Sequence, residues 1–444
     1  MPTKRDAKMT YAGKVAHEGE DAVMTDSTID ADPFGRASRS DGQLNEKNFR
    51  GAPICDGDPF SLETMEDPFP LQREVREAGP VVWMSKYQCW AVAGFQEVKA
   101  VLGNWQTYCS SRGIGLTDFA KEKPWRVPSP LLEGDPPDHT QLRAVLNRVL
   151  SPSAVKKLRD QFATVAHEMV GDLVARGRID AVNDLAEAFP LRVLPDVFGI
   201  ARGGEKHLLP FGSLVFNSFG PDNELRRAAF TGAAEHIAWF SQQSKRENLA
   251  PDSFGAEFYA SADRGEIPAE HASMLVRAMV AAGLDTTVNA IAAAVECFAR
   301  FPCEWDKLRA DPALARTAFE ETVRYASPFQ VFFRTTTRPT EIGDVHLEEG
   351  EKVMMFLGAA NRDPRHWEDP DRFDISRRVS GHVGFGNGIH MCAGQFLSRL
   401  EGEVLLTELA KRVERFEICG TPTRKYNNSL RGLESLPVKL LASA

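Results

Sequence analysis

One segment constrains this chain more than any other: Ala269–Arg300 reads as a single helix that is apolar on nearly every face. At about 1.5 Å per residue it would run roughly 48 Å, the width of an enzyme domain. A helix of this kind must be wrapped by protein or by lipid. Arg277, Asp285, Asn289 and Glu296 are costly in hydrocarbon, so protein is the expected wrapping. Its middle holds Ala282-Gly283-Leu284-Asp285-Thr286-Thr287. Gly, Asp and paired Thr are poor helix formers, and threonine hydroxyls compete for backbone carbonyls. A local bulge is therefore expected there, and such bulges collect at functional sites. An ordinary buried helix with its polar residues satisfied locally is the plainer alternative.

The rest of the chain supplies the wrapping. Helical patterns cover residues 71–78, 138–150, 153–175, 204–218, 223–247, 313–325 and 393–413. Short β segments are expected at residues 80–84, 89–92, 332–337, 345–347 and 352–357. Residues 1–55 are mixed in charge and poor in large apolar side chains, and they read as a flexible tail. Residues 56–444 read as one domain, mainly α with small β-sheets around a long central buried helix.

Charge narrows the partners. With 53 Lys+Arg against 62 Asp+Glu the net charge is −9, which disfavours nucleic acid, whose binding rests on neutralising phosphates. Lys4, Arg5, Asp6 and Lys8 are followed by no apolar stretch, so no signal peptide is expected and the expected location is cytoplasmic. Seven cysteines, an odd number without a Cys-x-x-Cys pair, fit reduced thiols better than a disulfide framework or a zinc site.

Chemistry concentrates in Phe385-Gly386-Asn387-Gly388-Ile389-His390-Met391-Cys392-Ala393-Gly394. The glycines permit a tight loop whose backbone can approach a flat group closely. Cys392 stands just before a helical pattern, where partial positive charge and free N–H groups stabilise a thiolate. A lone cysteine is ordinarily a small buried hydrophobe. In this company it reads as a ligand, and a thiolate so held suits the axial position of heme iron.

With this loop the chain resembles the cytochrome P450s, the heme-thiolate monooxygenases. The resemblance implies their fold around heme b (iron protoporphyrin IX), with Cys392 as the iron ligand and Phe385 and Gly386 beside the cofactor. It implies propionate contacts from His139 and Arg143 and from Arg334 and His390, where charge-assisted hydrogen bonds serve well. Glu321-Thr322-Val323-Arg324 matches the family's Glu-x-x-Arg pair, a buried structural network with Arg372 of Pro370-Asp371-Arg372-Phe373 as its third member. At this spacing Glu321 and Arg324 share a helix face. Asp285 and Thr286 match an acid–alcohol pair that resembles a proton relay, which implies O2 and two electrons rather than peroxide. No flavin or iron–sulfur pattern occurs in the chain. The expected electron source is an external [2Fe–2S] ferredoxin with an NADH-dependent reductase, and the chain itself is expected to be a monomer.

From about Asp58 onward the chain is similar in particular to the bacterial monooxygenases that demethylate 4-methoxybenzoate. Residues 109–113, 123–126, 216–219, 333–337 and 431–437 carry this likeness. It implies Arg126 and Ser129 at the carboxylate of a small aromatic acid, with Arg277 close by. Leu132, Phe216, Phe219, Ala282, Phe329 and Phe332 would line the ring, a combination that suits a planar anion. Ala278 and Ala281 stand where the subgroup has serines, Phe211 where it has tyrosine, and Phe329 where a member has the smaller valine. These departures imply fewer donors and a narrower pocket. The expected reaction is O-demethylation or hydroxylation at the para position. The same chemistry on a neutral phenolic or terpenoid substrate, or a heme-binding sensor without turnover, stays open.

Overall fold

Residues 50–443 are described by the computed structural model. Through its middle the helix Ala269–Arg300 runs unbroken. The bulge expected at residues 282–287 is absent: the Thr286 hydroxyl donates to the Ala282 carbonyl, 2.7 Å away, inside continuous α-helix. That bond gives the hydroxyl a partner without displacing the backbone ladder. From Leu284 to Phe298 every residue except Thr286 is buried. It is the one helix among the described residues long and apolar enough to cross a membrane, and its wrapping is protein. A stretch of π-helix does occur, at Ala181–Glu187, packed against the central helix.

Helices Asp138–Val149, Arg159–Arg176, Ala188–Phe198, Glu205–Asn217, Phe254–Asp263, Ala315–Ala326 and Gln395–Arg412 share one apolar core with it. The helix expected over residues 223–247 is split into Glu224–Phe230, Ala233–Gln243 and a 3-10 turn at Arg246–Asn248. Gly232 makes the break with φ at +74°, a conformation that glycine adopts without strain. The pattern over residues 153–175 likewise divides into Pro152–Lys156 and Arg159–Arg176.

A six-stranded sheet flanks the helices, in the order Ile54–Cys55, Val82–Met84, Cys89–Val92, Lys352–Phe356, Val331–Thr336, Tyr108–Cys109. Ile54 and Cys55 pair in parallel with Trp83 and Met84, and Ala52 is fully buried. The last residues of the expected tail are therefore part of the sheet. Its remainder, residues 1–49, lies outside the described residues. Smaller sheets form near the C-terminus, where Pro437–Ala442 lies between Val413–Ile418 and Arg178–Asp180, and Thr423–Tyr426 pairs with Arg431–Ser435.

Glu321 and Arg324 form a fully buried two-point ion pair, with Nε to Oε2 at 2.7 Å and Nη2 to Oε1 at 2.8 Å. Arg324 spends its other donors on the carbonyls of Asn361 and Pro370, both at 2.8 Å, and of Arg372, at 3.2 Å. Arg372 thus enters through its backbone, and its side chain is 61% exposed. The third side chain is Arg377, whose Nε lies 3.2 Å from Glu321 Oε1. The turn closed by the Arg372 N–H on the Asp369 carbonyl sets this: it aims two carbonyls at Arg324 and leaves the Arg372 guanidinium outside.

Candidate active site

The loop before the helix Gln395–Arg412 is shaped by its glycines. Gly386 and Gly388 have φ of +73° and +72°, and a Cβ on Gly388 would lie 2.8 Å from the Leu102 carbonyl oxygen. The Cys392 N–H closes the loop on the Phe385 carbonyl at 2.8 Å. The helix begins at Gln395, two residues later than the sequence pattern indicates, with Gly394 as its cap. Burial holds the Cys392 thiol above its ordinary range, opposed by the N–H groups of Gly394 and Gln395 and by Arg143 and Arg399. A metal ion bound at the sulfur would offset that burial and favour the thiolate.

The loop is tied down from behind. The Arg399 guanidinium covers the Phe385 ring at 4.4 Å and pairs with Glu320, which His382 also contacts at 2.7 Å. Burial raises the Glu320 carboxyl, but the bonds from His382 and Arg399 bring it down to about 2.

The four residues expected at the propionates come together, two arginines beside two imidazoles. The rings of His139 and His390 lie 4.3 Å apart, and the Nε2 atoms of both are buried without a hydrogen-bond partner. Arg334, buried on the strand Val331–Thr336, donates from its side chain only to the Phe333 carbonyl among the described residues. Arg143 donates to the Met391 carbonyl and to Asn147 Oδ1. Burial, then Arg334, His139 and Arg143, push His390 down to about 2. Asp135, the acid that acts on Arg334 and His139, is already occupied by the backbone N–H groups of Ser110 and Ser111. Orphaned donors and uncompensated charge of this kind mark an anion site. Together with the Cys392 sulfur, they fit heme b, with its two carboxylates and its iron.

Across from the loop, the central helix leaves one line accessible. Ala282 is exposed, while Ala278 and Thr286, one turn to either side, are half-buried. Asp285 points elsewhere: it is buried against the helix Glu205–Asn217, where a Cβ on Gly212 would lie 2.8 Å from its Cγ. Burial pushes its carboxyl up to about 7.

The expected ring-lining residues also converge. Phe216, Phe219, Leu132, Phe329 and Phe332 belong to one apolar cluster. Phe329 and Phe332 stack at 4.2 Å, and Phe216 meets Phe329 edge-on at 5.7 Å. Ile114, Val215 and Leu430 complete it, and sequence reasoning missed all three. Each is an ordinary aliphatic residue with nothing local to mark it.

The expected anion site needs correction. Arg126 pairs with the buried Glu133 at 2.7 Å, so its charge is already compensated. The same carboxylate accepts the Ser129 N–H at 2.7 Å. Ser129 Oγ accepts from the N–H groups of Leu131 and Leu132, and contacts Met274 Sδ at 3.5 Å. Met274 and Arg277 lie three apart on the central helix and so share a face. Arg277 is half-buried and makes no hydrogen bond or ion pair among the described residues. Of the two arginines, Arg277 and not Arg126 has no anionic partner among the described residues.

Comparison with known proteins agrees with this geometry. The sequence model of the cytochrome P450 family matches residues 207–440. The chain is 58% identical over 391 residues to Cytochrome p450 CYP199A2 of Rhodopseudomonas palustris, covering 88% of this chain and 95% of that protein. It is 28% identical to linalool 8-monooxygenase of Pseudomonas putida, covering 86% and 97%. Among solved structures, cytochrome P450 CREJ in complex with (4-ethylphenyl) dihydrogen phosphate superposes with a TM-score of 0.79 at 24% identity, over 86% of this chain and 99% of that one. CalO2 does so with a TM-score of 0.78 at 25% identity, over 87% and 99%.

Proposed function

The chain belongs to the cytochrome P450 family, a heme b monooxygenase, and we propose that its substrate is a small aromatic carboxylic acid oxidised at the para position, as in the O-demethylation of 4-methoxybenzoate. The observation that carries this reading is Arg277, a half-buried guanidinium without a counter-charge. Ser129 adds a hydroxyl on the same face, and the cluster of Phe216, Phe219, Phe329 and Phe332 offers flat apolar walls. A planar anion needs this pairing of charge and stacked rings.

Heme b, held by Cys392 and by the cluster of His139, Arg143, Arg334 and His390, supplies the activation of O2 when bound. The chain supplies placement and protons. Asp285, its carboxyl pushed up by burial to about 7, can both hold and release a proton near neutral pH, as a general acid should. Thr286 carries the next hydroxyl, on the accessible line of the helix. Phe216 and its neighbours keep bulk water from the reacting face. Electrons come from an external [2Fe–2S] ferredoxin and its NADH-dependent reductase in the cytoplasm. Met391 and Phe396, exposed apolar residues flanking Cys392, offer that partner a surface on a monomeric chain.

The substrate reading is tested with an acid and its ester. A charged hydrogen bond is worth roughly 1.5–3 kcal/mol, so 4-methoxybenzoate will bind about ten- to a hundred-fold tighter than its methyl ester. Arg277→Ala will erase most of that ratio, while Arg126→Ala, whose charge is matched by Glu133, will affect both ligands alike. Dissociation constants above the acid's pKa check this. Equal affinities in the unmutated enzyme would favour a neutral aromatic substrate instead.

Thr286→Ala will keep heme and substrate binding but lower product per NADH several-fold and release peroxide in its place. Peroxide and product, measured with excess partner proteins, are the readout. Unchanged coupling would leave proton delivery to Asp285 and water.

A further inference from the structure

Two histidines outside the heme and ring clusters face each other across the helices that cover the pocket. His207 is buried near the start of Glu205–Asn217, and His236 lies in Ala233–Gln243. Their Nδ1 atoms converge to 3.0 Å. The His207 ring is stacked on Trp239 (5.0 Å, 21°), and the His236 ring meets it at 5.2 Å and 60°. Gly204 makes room for this packing, since a Cβ there would lie 1.7 Å from the Trp239 ring. The two imidazoles are thus held by different helices, with their Nδ1 atoms in direct contact.

As a hydrogen bond, the pair requires one Nδ1 to carry hydrogen and the other to be bare. With both bare, it presents two lone pairs to a metal. Zinc takes imidazole nitrogens at about 2.0–2.1 Å in a tetrahedron, which places two of them roughly 3.3 Å apart. The observed 3.0 Å is close to that spacing, and a turn of the rings off the direct N···N line would admit the metal. Glu235 Oε1 stands 3.9 Å from His207 Nε2, too far for a hydrogen bond, but on the side that favours hydrogen at Nε2 and leaves Nδ1 bare. Lys206, 4.0 Å from Glu235, is largely exposed and is the nearest cation paired with this group.

We propose that His207 and His236 form a two-histidine binding site for zinc, with water completing the coordination. Among the described residues no third His, Cys, Asp or Glu joins them, so the site is exchangeable rather than structural. Its position gives it a consequence. Glu205–Asn217 carries Phe216 of the ring-lining cluster, and Phe211 packs on Phe240 of the second helix at 4.8 Å. A metal bridge there staples the two helices together above the pocket.

The test is calorimetric titration of tag-free, full-length holoenzyme with zinc chloride, beside His236→Gln. His236 is half-exposed, so this variant should fold with an unchanged heme spectrum. The expected result is one zinc per chain, bound at least ten-fold more weakly by the variant. Zinc should also raise the thermal midpoint of the unmutated protein alone. No binding would reduce the pair to a hydrogen bond between neutral rings and overturn the proposal. Equal binding by the variant would overturn it too, by placing the zinc elsewhere. Should His236→Gln lose its fold, His207→Gln takes its place under the same criteria.

Discussion

Cys392→Ser will abolish the long-wavelength carbon monoxide band of the reduced protein, and with it all monooxygenase turnover. The substitution is nearly isosteric. The bond that closes the loop runs from the residue 392 backbone N–H to the Phe385 carbonyl, so the loop keeps its shape. What disappears is the thiolate, which a serine hydroxyl cannot replace near neutral pH. No other buried cysteine is placed to substitute. Burial pushes the thiols of Cys55, Cys89 and Cys297 up to about 11, 12 and 12, and neither these three nor the buried Cys109 lie in the glycine loop. The reduced carbon monoxide difference spectrum decides the matter, with heme content measured separately. A variant that keeps the band would refute the ligand assignment.

Glu321→Ala will be the most destabilising single change in the scaffold. It removes the carboxylate shared by Arg324 and Arg377 and leaves a fully buried guanidinium without its counter-ion. Breaking such a pair costs about 3–5 kcal/mol, a large part of the roughly 5–15 kcal/mol by which domains are stable. The variant should express poorly and lose heme at temperatures where the unmutated protein keeps it. Arg372→Ala, which removes an exposed side chain and leaves the carbonyl in place, should change stability by less than about 0.5 kcal/mol. Thermal midpoints of both variants test the pair. A small loss for Glu321→Ala would mean that the surrounding carbonyls alone hold Arg324.

Much of this architecture is legible in the chain because its strongest signals are local. The central helix is bounded as its apolar run predicts, and the glycine loop needs its two left-handed residues wherever it occurs. What escaped the sequence depends on the third dimension. Arg372 and Arg377 are equivalent by residue type, and only the turn at Asp369 decides which guanidinium reaches Glu321. Arg126 reads as a free cation until the chain brings Glu133 back against it. The expected bulge failed because one side-chain bond, from Thr286 to Ala282, satisfied the hydroxyl within a regular helix. The C-terminal strands went unread because Val413–Ile418 and Thr423–Tyr426 are short and carry charge, without a clear alternation.

The contact between Gly212 and Asp285 ties acidity to posture. The helix Glu205–Asn217 lies so close that a single methyl at position 212 would collide with the carboxyl, and this closeness is part of the burial that keeps the group near pKa 7. If that helix lifts far enough to admit water, the desolvation relaxes and Asp285 returns toward an ordinary aspartate, ionised at neutral pH. Packed under the helix, the carboxyl can hold a proton near neutral pH; opened to water, it would be ionised there. The position of that helix and the protonation of Asp285 are therefore linked.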